Sequence, residues 1–100
     1  MNQMQQMLMQ AQKMQRELSK KQAELENKDF KISKAGMVEI TIKGNHSVSE
    51  ISIDKDALDP ENKEMLEEAI KMAISEANEK IAKESEAINE EITGRAGLPF

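Results

Sequence analysis

The sequence contains no cysteine, which excludes disulfide bonds, a thiolate nucleophile and a zinc site with cysteine ligands. The first six residues contain neither the positive charges nor the apolar run of a secretory signal. No stretch of about 18 apolar residues is present that could span a membrane. We therefore expect a cytoplasmic protein with no membrane partner.

Residues that could support catalysis are equally scarce. His46 is the single histidine, and without a second histidine or a cysteine it is better interpreted as an exposed turn residue than as a metal ligand or a base. The four glycines form no phosphate-binding loop, and no nucleophile constellation is recognisable. We expect no enzyme activity, no cofactor, no metal and no small-molecule substrate.

The charge of the chain is unevenly distributed. Its 100 residues carry a net charge of -5, which at first argues against nucleic acid, because phosphate binding requires local positive charge. Residues 1–28 nevertheless carry five lysines and arginines against three acids, whereas residues 55–100 carry six against twelve. Any surface that binds an anion should therefore involve the amino-terminal segment.

A long helix is predicted from about residue 3 to 27, because this segment is rich in strong helix formers and contains neither glycine nor proline. Its apolar residues recur with a heptad spacing that only Lys21 interrupts. They are Met4, Met7, Ala11, Met14, Leu18 and Leu25. This spacing indicates an apolar stripe that packs against another helix.

Between residues 29 and 54 the pattern becomes alternating, which predicts three half-buried strands. Their inward-facing residues are Phe30, Ile32, Val38, Ile40, Ile42, Ile51 and Ile53. Turns near Gly36 and Gly44 join the strands into an antiparallel meander. Val48 has the opposite parity from the last strand, so we expect either a bulge or a strand that begins after it.

A second long helix is predicted from Asp59 and Pro60 to about Thr93. Asp59 is a suitable N-cap, Pro60 fits the first turn, and Gly94 is a suitable stop. Apolar residues follow a helical spacing at Leu66, Ile70, Ala73, Ala77, Ile81, Ile88 and Ile92. Residues 94–100 are then a short tail, and residues 1–100 form a single α+β domain.

The predicted helices are longer than the predicted sheet. The second helix would be roughly 50 Å long, whereas three short strands make a sheet of roughly 15 by 23 Å. The overhanging apolar stripes need cover, which indicates a homodimer formed through the sheet edge, the helices or both. The residues expected in the core or the dimer interface are Met14, Leu18, Val38, Ile40, Ile42, Ile51, Ile53 and Ile70.

Three segments also carry a family resemblance. The first is the Gln/Met-rich segment 7–15. The second is segment 36–40, followed by Gly44, Val48 and segment 51–54. The third is the ending Gly97-Leu98-Pro99-Phe100. In this order and spacing, they resemble the YbaB/EbfC family of nucleoid-associated proteins across essentially the whole chain. The resemblance implies a homodimer with joined sheets, long helices that project like the arms of tweezers around double-stranded DNA, and a role in nucleoid organisation or gene expression.

A group of polar residues on the first helix is the candidate DNA-binding site. On a helical wheel Lys13, Arg16 and Lys20 fall within about 60° of one another and away from the apolar stripe. We call these three residues the basic stripe and interpret them as phosphate contacts; the alternative is a solvated helix face. The full candidate set is Lys13, Arg16, Lys20, Lys21, Gln6 and Gln10, with Lys80, Lys83 and Arg95 ranked lower because acidic residues surround them.

Two functions are compatible with the sequence. A DNA-binding dimer would recognise phosphate and shape more than base identity, because the chain has only two aromatic residues and no evident recognition helix. The alternative is a protein-interaction or chaperone-like scaffold that holds another protein with its Met-rich helices. The overall acidity suits this alternative.

Overall fold

The computed structural model describes residues 2–95 and arranges them as a helix, three strands and a second helix. Helix α1 spans Gln3–Glu26, and helix α2 spans Lys63–Arg95. The strands are β1 (Asp29–Lys34), β2 (Val38–Lys43) and β3 (Val48–Ile53), and short 3-10 turns at Lys55–Leu58 and Pro60–Asn62 lead into α2. The predicted α+β architecture, with an antiparallel meander between two long helices, is confirmed.

The start of α1 is fixed by a capping box. The Gln5 backbone N–H donates to Oδ1 of Asn2 at 2.8 Å, and the Asn2 backbone N–H donates to Oε1 of Gln5 at 3.3 Å. These bonds satisfy backbone donors that have no partner inside the helix. The resulting 24-residue helix is roughly 36 Å long.

The sheet has β2 at its centre, with antiparallel neighbours β1 and β3. The pairing of β1 with β2 is unbroken, whereas the pairing of β3 shifts between Thr41 and Ile42. Val48 lies opposite Ile42 and is part of β3. The shift absorbs the change of parity at Val48, so a bulge is the correct one of the two predicted alternatives.

Helix α2 differs slightly from the sequence prediction at both ends: a 3-10 turn occupies Pro60–Asn62, and the α-helix itself begins at Lys63. The Glu61 backbone N–H donates to Oδ1 of Asp59 at 2.9 Å, so Asp59 caps the 3-10 turn that leads into the helix. Gly94, predicted as a stop, instead lies inside α2, which continues to Arg95. The prediction was wrong because one glycine costs a helix only about 1 kcal/mol relative to alanine. The rest of the predicted tail, 96–100, lies outside the described residues.

The hydrophobic core lies between the sheet and the first half of α2. Ala69, Ala73 and Ala77 are buried against the strands, and their small size lets the helix backbone approach the sheet closely. The buried strand residues are Phe30, Ile32, Val38, Ile40 and Ile42. Among the other expected core or interface residues, Ile70 is partly buried, Met14 and Leu18 are half-buried on α1, and Ile51 and Ile53 are exposed.

Gly44 joins the sheet to the end of α1. Its backbone N–H donates to the Lys28 carbonyl at 2.9 Å, and the Asn45 N–H donates to the Glu26 carbonyl at 3.2 Å. The bond to Glu26 satisfies a carbonyl at the end of α1 that lacks a helical partner, and the bond to Lys28 holds the turn against the segment that follows the helix. A Cβ atom at Gly44 would lie 1.8 Å from the Leu25 carbonyl oxygen, so this approach requires glycine.

The described chain is strongly elongated. It extends over 71 × 22 × 13 Å with a radius of gyration of 19.9 Å, whereas a compact chain of this length has about 13 Å. The carboxyl-terminal part of α1 packs on the later part of α2, and Gln22 bonds to both Ser85 and Asn89. The amino-terminal half of α1 extends beyond this contact, with Met4 and Met7 exposed.

The turn between β1 and β2 contains a residue, Ala35, whose substitution should stabilise the protein. Ala35 has a φ of 56° and precedes Gly36 at 65°. The left-handed region costs an alanine about 1 to 2 kcal/mol, because Cβ approaches a carbonyl oxygen, whereas asparagine adopts it more readily. Ala35→Asn should therefore raise the free energy of unfolding by about 0.5 to 1 kcal/mol in urea denaturation. The control Ala82→Asn, on the exposed side of α2, should lower it; a lower value for Ala35→Asn would contradict the argument.

Candidate nucleic-acid interface

The basic stripe faces away from α2. On α1, Gln22 bonds to Asn89 of α2 and Leu25 belongs to the hydrophobic core, and the stripe lies on the opposite side of the helix. All three residues of the stripe are exposed. The stripe is therefore accessible to a large partner along its length.

The basic stripe takes no part in the ion pairs that hold other lysines within residues 2–95. Seven such pairs use lysines outside the stripe, and five of those lysines lie on the strands or α2. Glu17, which lies among the stripe residues, has an interaction of its own. Surface ion pairs contribute little to stability. Their distribution matters here mainly for the electrostatic potential around α1. This distribution leaves a positive surface on α1 in an acidic chain.

Lys21 differs from the three residues of the basic stripe. It is half-buried, and its Nζ lies 3.8 Å from Oε2 of Glu91 on α2. The ion pair ties α1 to α2 and partly neutralises the lysine. The structure thus places Lys21 at the contact between the helices, where its long stem covers apolar surface.

Gln6 and Gln10 extend the basic stripe towards the start of α1. Both are exposed and lie on the side of the helix that carries Lys13. Their amide groups can donate and accept hydrogen bonds without adding charge. Met4, Met7, Leu8 and Met9 are exposed on the same half of the helix, so the polar surface there has apolar neighbours.

A second set of free cations lies on α2. Lys80 and Lys83 are exposed and form no ion pair within residues 2–95. Nearby, the Lys34 ammonium donates to Oε1 of Glu76 at 2.7 Å, and this bond holds the pKa of the Glu76 carboxyl below its ordinary value. Glu76 is therefore anionic at neutral pH and neutralises Lys34. Sequence reasoning ranked Lys80 and Lys83 low, although their spacing of three placed them on one side of α2.

Among the described residues, no group of three or more histidines, cysteines, aspartates or glutamates is arranged to hold a metal ion. Neither described helix combines the length and the apolar character needed to cross a membrane.

The sequence of this chain matches the model of the YbaB/EbfC DNA-binding family over residues 1–96. The chain belongs to this family. Among its YbaB/EbfC relatives, a nucleoid-associated protein of Malacoplasma penetrans is 41% identical over 97% of this chain and 98% of its own length. A nucleoid-associated protein of Mycoplasmopsis pulmonis is 39% identical over 95% and 93%. One of Lachnospira eligens is 45% identical over 72% of this chain, and the match spans only 63% of its length.

Proposed function

We propose that this protein binds double-stranded DNA as a homodimer, mainly through phosphate and shape, and acts in the nucleoid on its organisation or on gene expression. The observation that carries the proposal is the basic stripe, which presents exposed cations in a chain with a net charge of -5. The family is described as DNA-binding, and its relatives are called nucleoid-associated. Both descriptions support the same function.

The spacing of the basic stripe suits a phosphate backbone. From Lys13 to Lys20 the stripe covers roughly 10 Å of helix, and one DNA strand presents a phosphate about every 3.4 Å along the duplex axis. The stripe therefore spans about three phosphate intervals of one strand, so its three cations can contact phosphates within a short stretch of backbone. Phosphate contacts position a protein without selecting a sequence, so we expect weak preference among DNA sequences.

The salt dependence of binding tests this mechanism. If each of the three stripe residues in both chains neutralises one phosphate, six counterions are released, and log K against log salt has a slope of about -5. A mobility-shift titration with duplex DNA at several salt concentrations measures the slope. An affinity that does not change with salt would contradict the phosphate mechanism. Similar slopes for unrelated sequences would support the expected weak selectivity.

The second half of the proposal, the homodimer, rests on the edge formed by β3. Ile51 and Ile53 pair with Ile40 and Val38 and so lie on the apolar face of the sheet, yet they are 53% and 38% exposed. Val48 and Leu58 beside them are also exposed. Pairing of two β3 edges would cover these side chains and close both open edges. We infer that the dimer forms there.

A charge placed on β3 should separate the two chains. Ile51→Lys puts a charge into the proposed interface, where burial without a partner is strongly unfavourable. We expect the mass measured by light scattering to fall from twice the 11.3 kDa of one chain to a single 11.3 kDa. The control is Ser52→Lys, on the same strand but on the other face of the sheet. A dimer that survives Ile51→Lys would place the interface elsewhere.

The exposed apolar residues of α1 favour a second candidate function, the protein-interaction or chaperone-like scaffold. Met4, Met7, Leu8 and Met9 form a flexible apolar surface of the kind that binds diverse partners. A mobility-shift assay distinguishes the two functions. If the dimer at micromolar concentration causes no mobility shift of duplex DNA at low salt, the scaffold is favoured.

A further inference from the structure

The sheet has a second open edge at β1. Gly44 donates to the Lys28 carbonyl, and Lys43 donates instead to Ser47 on the side of β3. Hydrogen bonding alternates along antiparallel strands, so the backbone groups of Asp29, Lys31 and Ser33 point away from β2. β1 has no bulge and no proline, and its protection against unspecific pairing consists of the charged residues Asp29, Lys31 and Lys34. Its outward donors and acceptors are therefore available to another strand.

Helix α2 extends over the space beside this edge. Met65 and Met72 on α2 are 61% and 50% exposed, and with Met37 they line an open apolar cavity of about 260 Å³ next to the end of β1. A second open cavity of about 440 Å³ lies next to the start of β1, between Phe30 and the pair Lys80 and Lys83. The two cavities lie at opposite ends of β1, with the Lys34–Glu76 ion pair between them, and we call the space beside β1 that includes both the β1–α2 cleft. Its two ends differ in chemistry.

The charge of the cleft is positive at one end only. Lys28 is paired with Glu84, and Lys34 is paired with Glu76. Lys80 and Lys83 form no ion pair within residues 2–95, although Lys80 lies close enough to Glu76 to help lower the pKa of that carboxyl. A strand added next to β1 would place every second side chain under α2, so acidic side chains at this end would meet two free ammonium groups.

We propose that the β1–α2 cleft binds an extended peptide segment by strand addition, with apolar residues at its amino-terminal end and acidic residues at its carboxyl-terminal end. The direction follows from antiparallel pairing: the segment begins at the methionine end of the cleft and finishes at Lys80 and Lys83. The proposal goes beyond DNA binding, because it uses neither the basic stripe nor the β3 edge. It gives the protein a site for a protein partner.

A second copy of the chain fits the cleft less well. Antiparallel pairing of two β1 strands would bring the Lys34 position of one copy towards Lys80 and Lys83 of the other. Lys34 is already paired with Glu76, and the face of β1 that carries it holds only Phe30 and Ile32 besides. A second β1 strand therefore brings no acidic side chain that could complement Lys80 and Lys83. A single extended peptide with acidic residues supplies the missing charge.

The test uses the full-length protein and a fluorescent peptide, Ile-Thr-Ile-Thr-Glu-Thr-Glu, whose alternate residues match the cleft. Fluorescence anisotropy should show saturable binding below about 1 mM, and the same peptide with lysine in place of glutamate should bind about tenfold more weakly. The double variant Lys80→Glu and Lys83→Glu should reverse this preference. Failure of any peptide to bind at about 1 mM, or an unchanged preference in the double variant, overturns the proposal.

Strand addition itself is tested at Ser33. Ser33→Pro removes an outward N–H without removing a bond to β2, so it should abolish peptide binding, whereas the matched control Ser33→Ala should retain it. In the unmodified protein, hydrogen exchange at the Lys31 amide should slow when the peptide binds, which gives a readout that does not depend on a variant. Unslowed exchange, or equal binding by Ser33→Pro, overturns strand addition.

Other occupants of the cleft give different results. If sedimentation shows a tetramer that Ser33→Pro abolishes, a second copy of the chain covers the β1 edge. If DNA displaces the peptide, nucleic acid occupies the cleft. Either result overturns the proposal. The affinity of Ser33→Pro for duplex DNA should be unchanged, so failure of the peptide site is distinguishable from failure of the proposed DNA binding.

Discussion

Replacing Gly44 with alanine should lower the free energy of unfolding by about 3 kcal/mol, because overpacking costs about 1 to 3 kcal/mol and each lost hydrogen bond about 1 kcal/mol. The added Cβ would lie 1.8 Å from the Leu25 carbonyl oxygen, a backbone atom that no side-chain rotation can move. The turn must therefore withdraw from the end of α1. Withdrawal breaks the bonds from Gly44 to Lys28 and from Asn45 to Glu26.

Urea denaturation followed by circular dichroism measures this loss, and Gly94→Ala is the matched control. Gly94 has nothing within 4 Å of an added Cβ and lies inside α2. The same substitution there should raise the free energy of unfolding by about 0.5 to 1 kcal/mol, because alanine restricts the unfolded chain and favours helix. If Gly44→Ala and Gly94→Ala have similar effects, the close contact with Leu25 does not limit this position.

The sheet could be predicted from the sequence because its cause is local. In a strand, successive side chains alternate between faces, so Val38, Ile40 and Ile42 by themselves define one apolar face. The same rule marked Val48 as out of phase, and the register shift of β3 is the consequence. The cap at Asp59, at the start of the 3-10 turn that leads into α2, could also be predicted, because a cap depends on residues only a few positions apart.

The role of Gly44 could not be predicted, because it depends on contacts between distant parts of the chain. The sequence marks Gly44 as a turn residue, but its burial results from the Leu25 carbonyl at the end of α1. Lys21 is a similar case, since only the packing of α1 on α2 brings it to Glu91. Contacts between residues so far apart in the sequence leave no periodic pattern from which they could be predicted.

The candidate site could be predicted only in part for the same reason. Helical periodicity places Lys13, Arg16 and Lys20 on one face of α1, and the structure keeps that face exposed. The acidic residues of α2 that could have neutralised them belong to another element, and only the packing of the two helices determines their position. The lower rank given to Lys80 and Lys83 as DNA contacts stays a prediction; Glu84 lines the same cavity as these lysines, and Lys80 lies close enough to Glu76 to help lower the pKa of that carboxyl.

Removal of the basic stripe should have the largest effect on DNA binding. In the triple variant Lys13→Gln, Arg16→Gln and Lys20→Gln, a dimer loses all six proposed phosphate contacts. The slope of log K against log salt should then change from about -5 to near zero, and the affinity at low salt should fall about a thousandfold. Because all three side chains are exposed, the fold should tolerate the change, and the unfolding curve checks this.

The matched control removes the same number of charges elsewhere. Lys55→Gln, Lys63→Gln and Lys71→Gln change exposed lysines outside α1 and make the chain equally more acidic. If DNA contacts the stripe directly, the control variant keeps most of its affinity and a slope of about -5. If both triple variants lose affinity equally, the protein responds to net charge alone, and the stripe is only a solvated helix face. Uniform loss over unrelated DNA sequences in the stripe variant would further identify these contacts as phosphate contacts rather than contacts to bases.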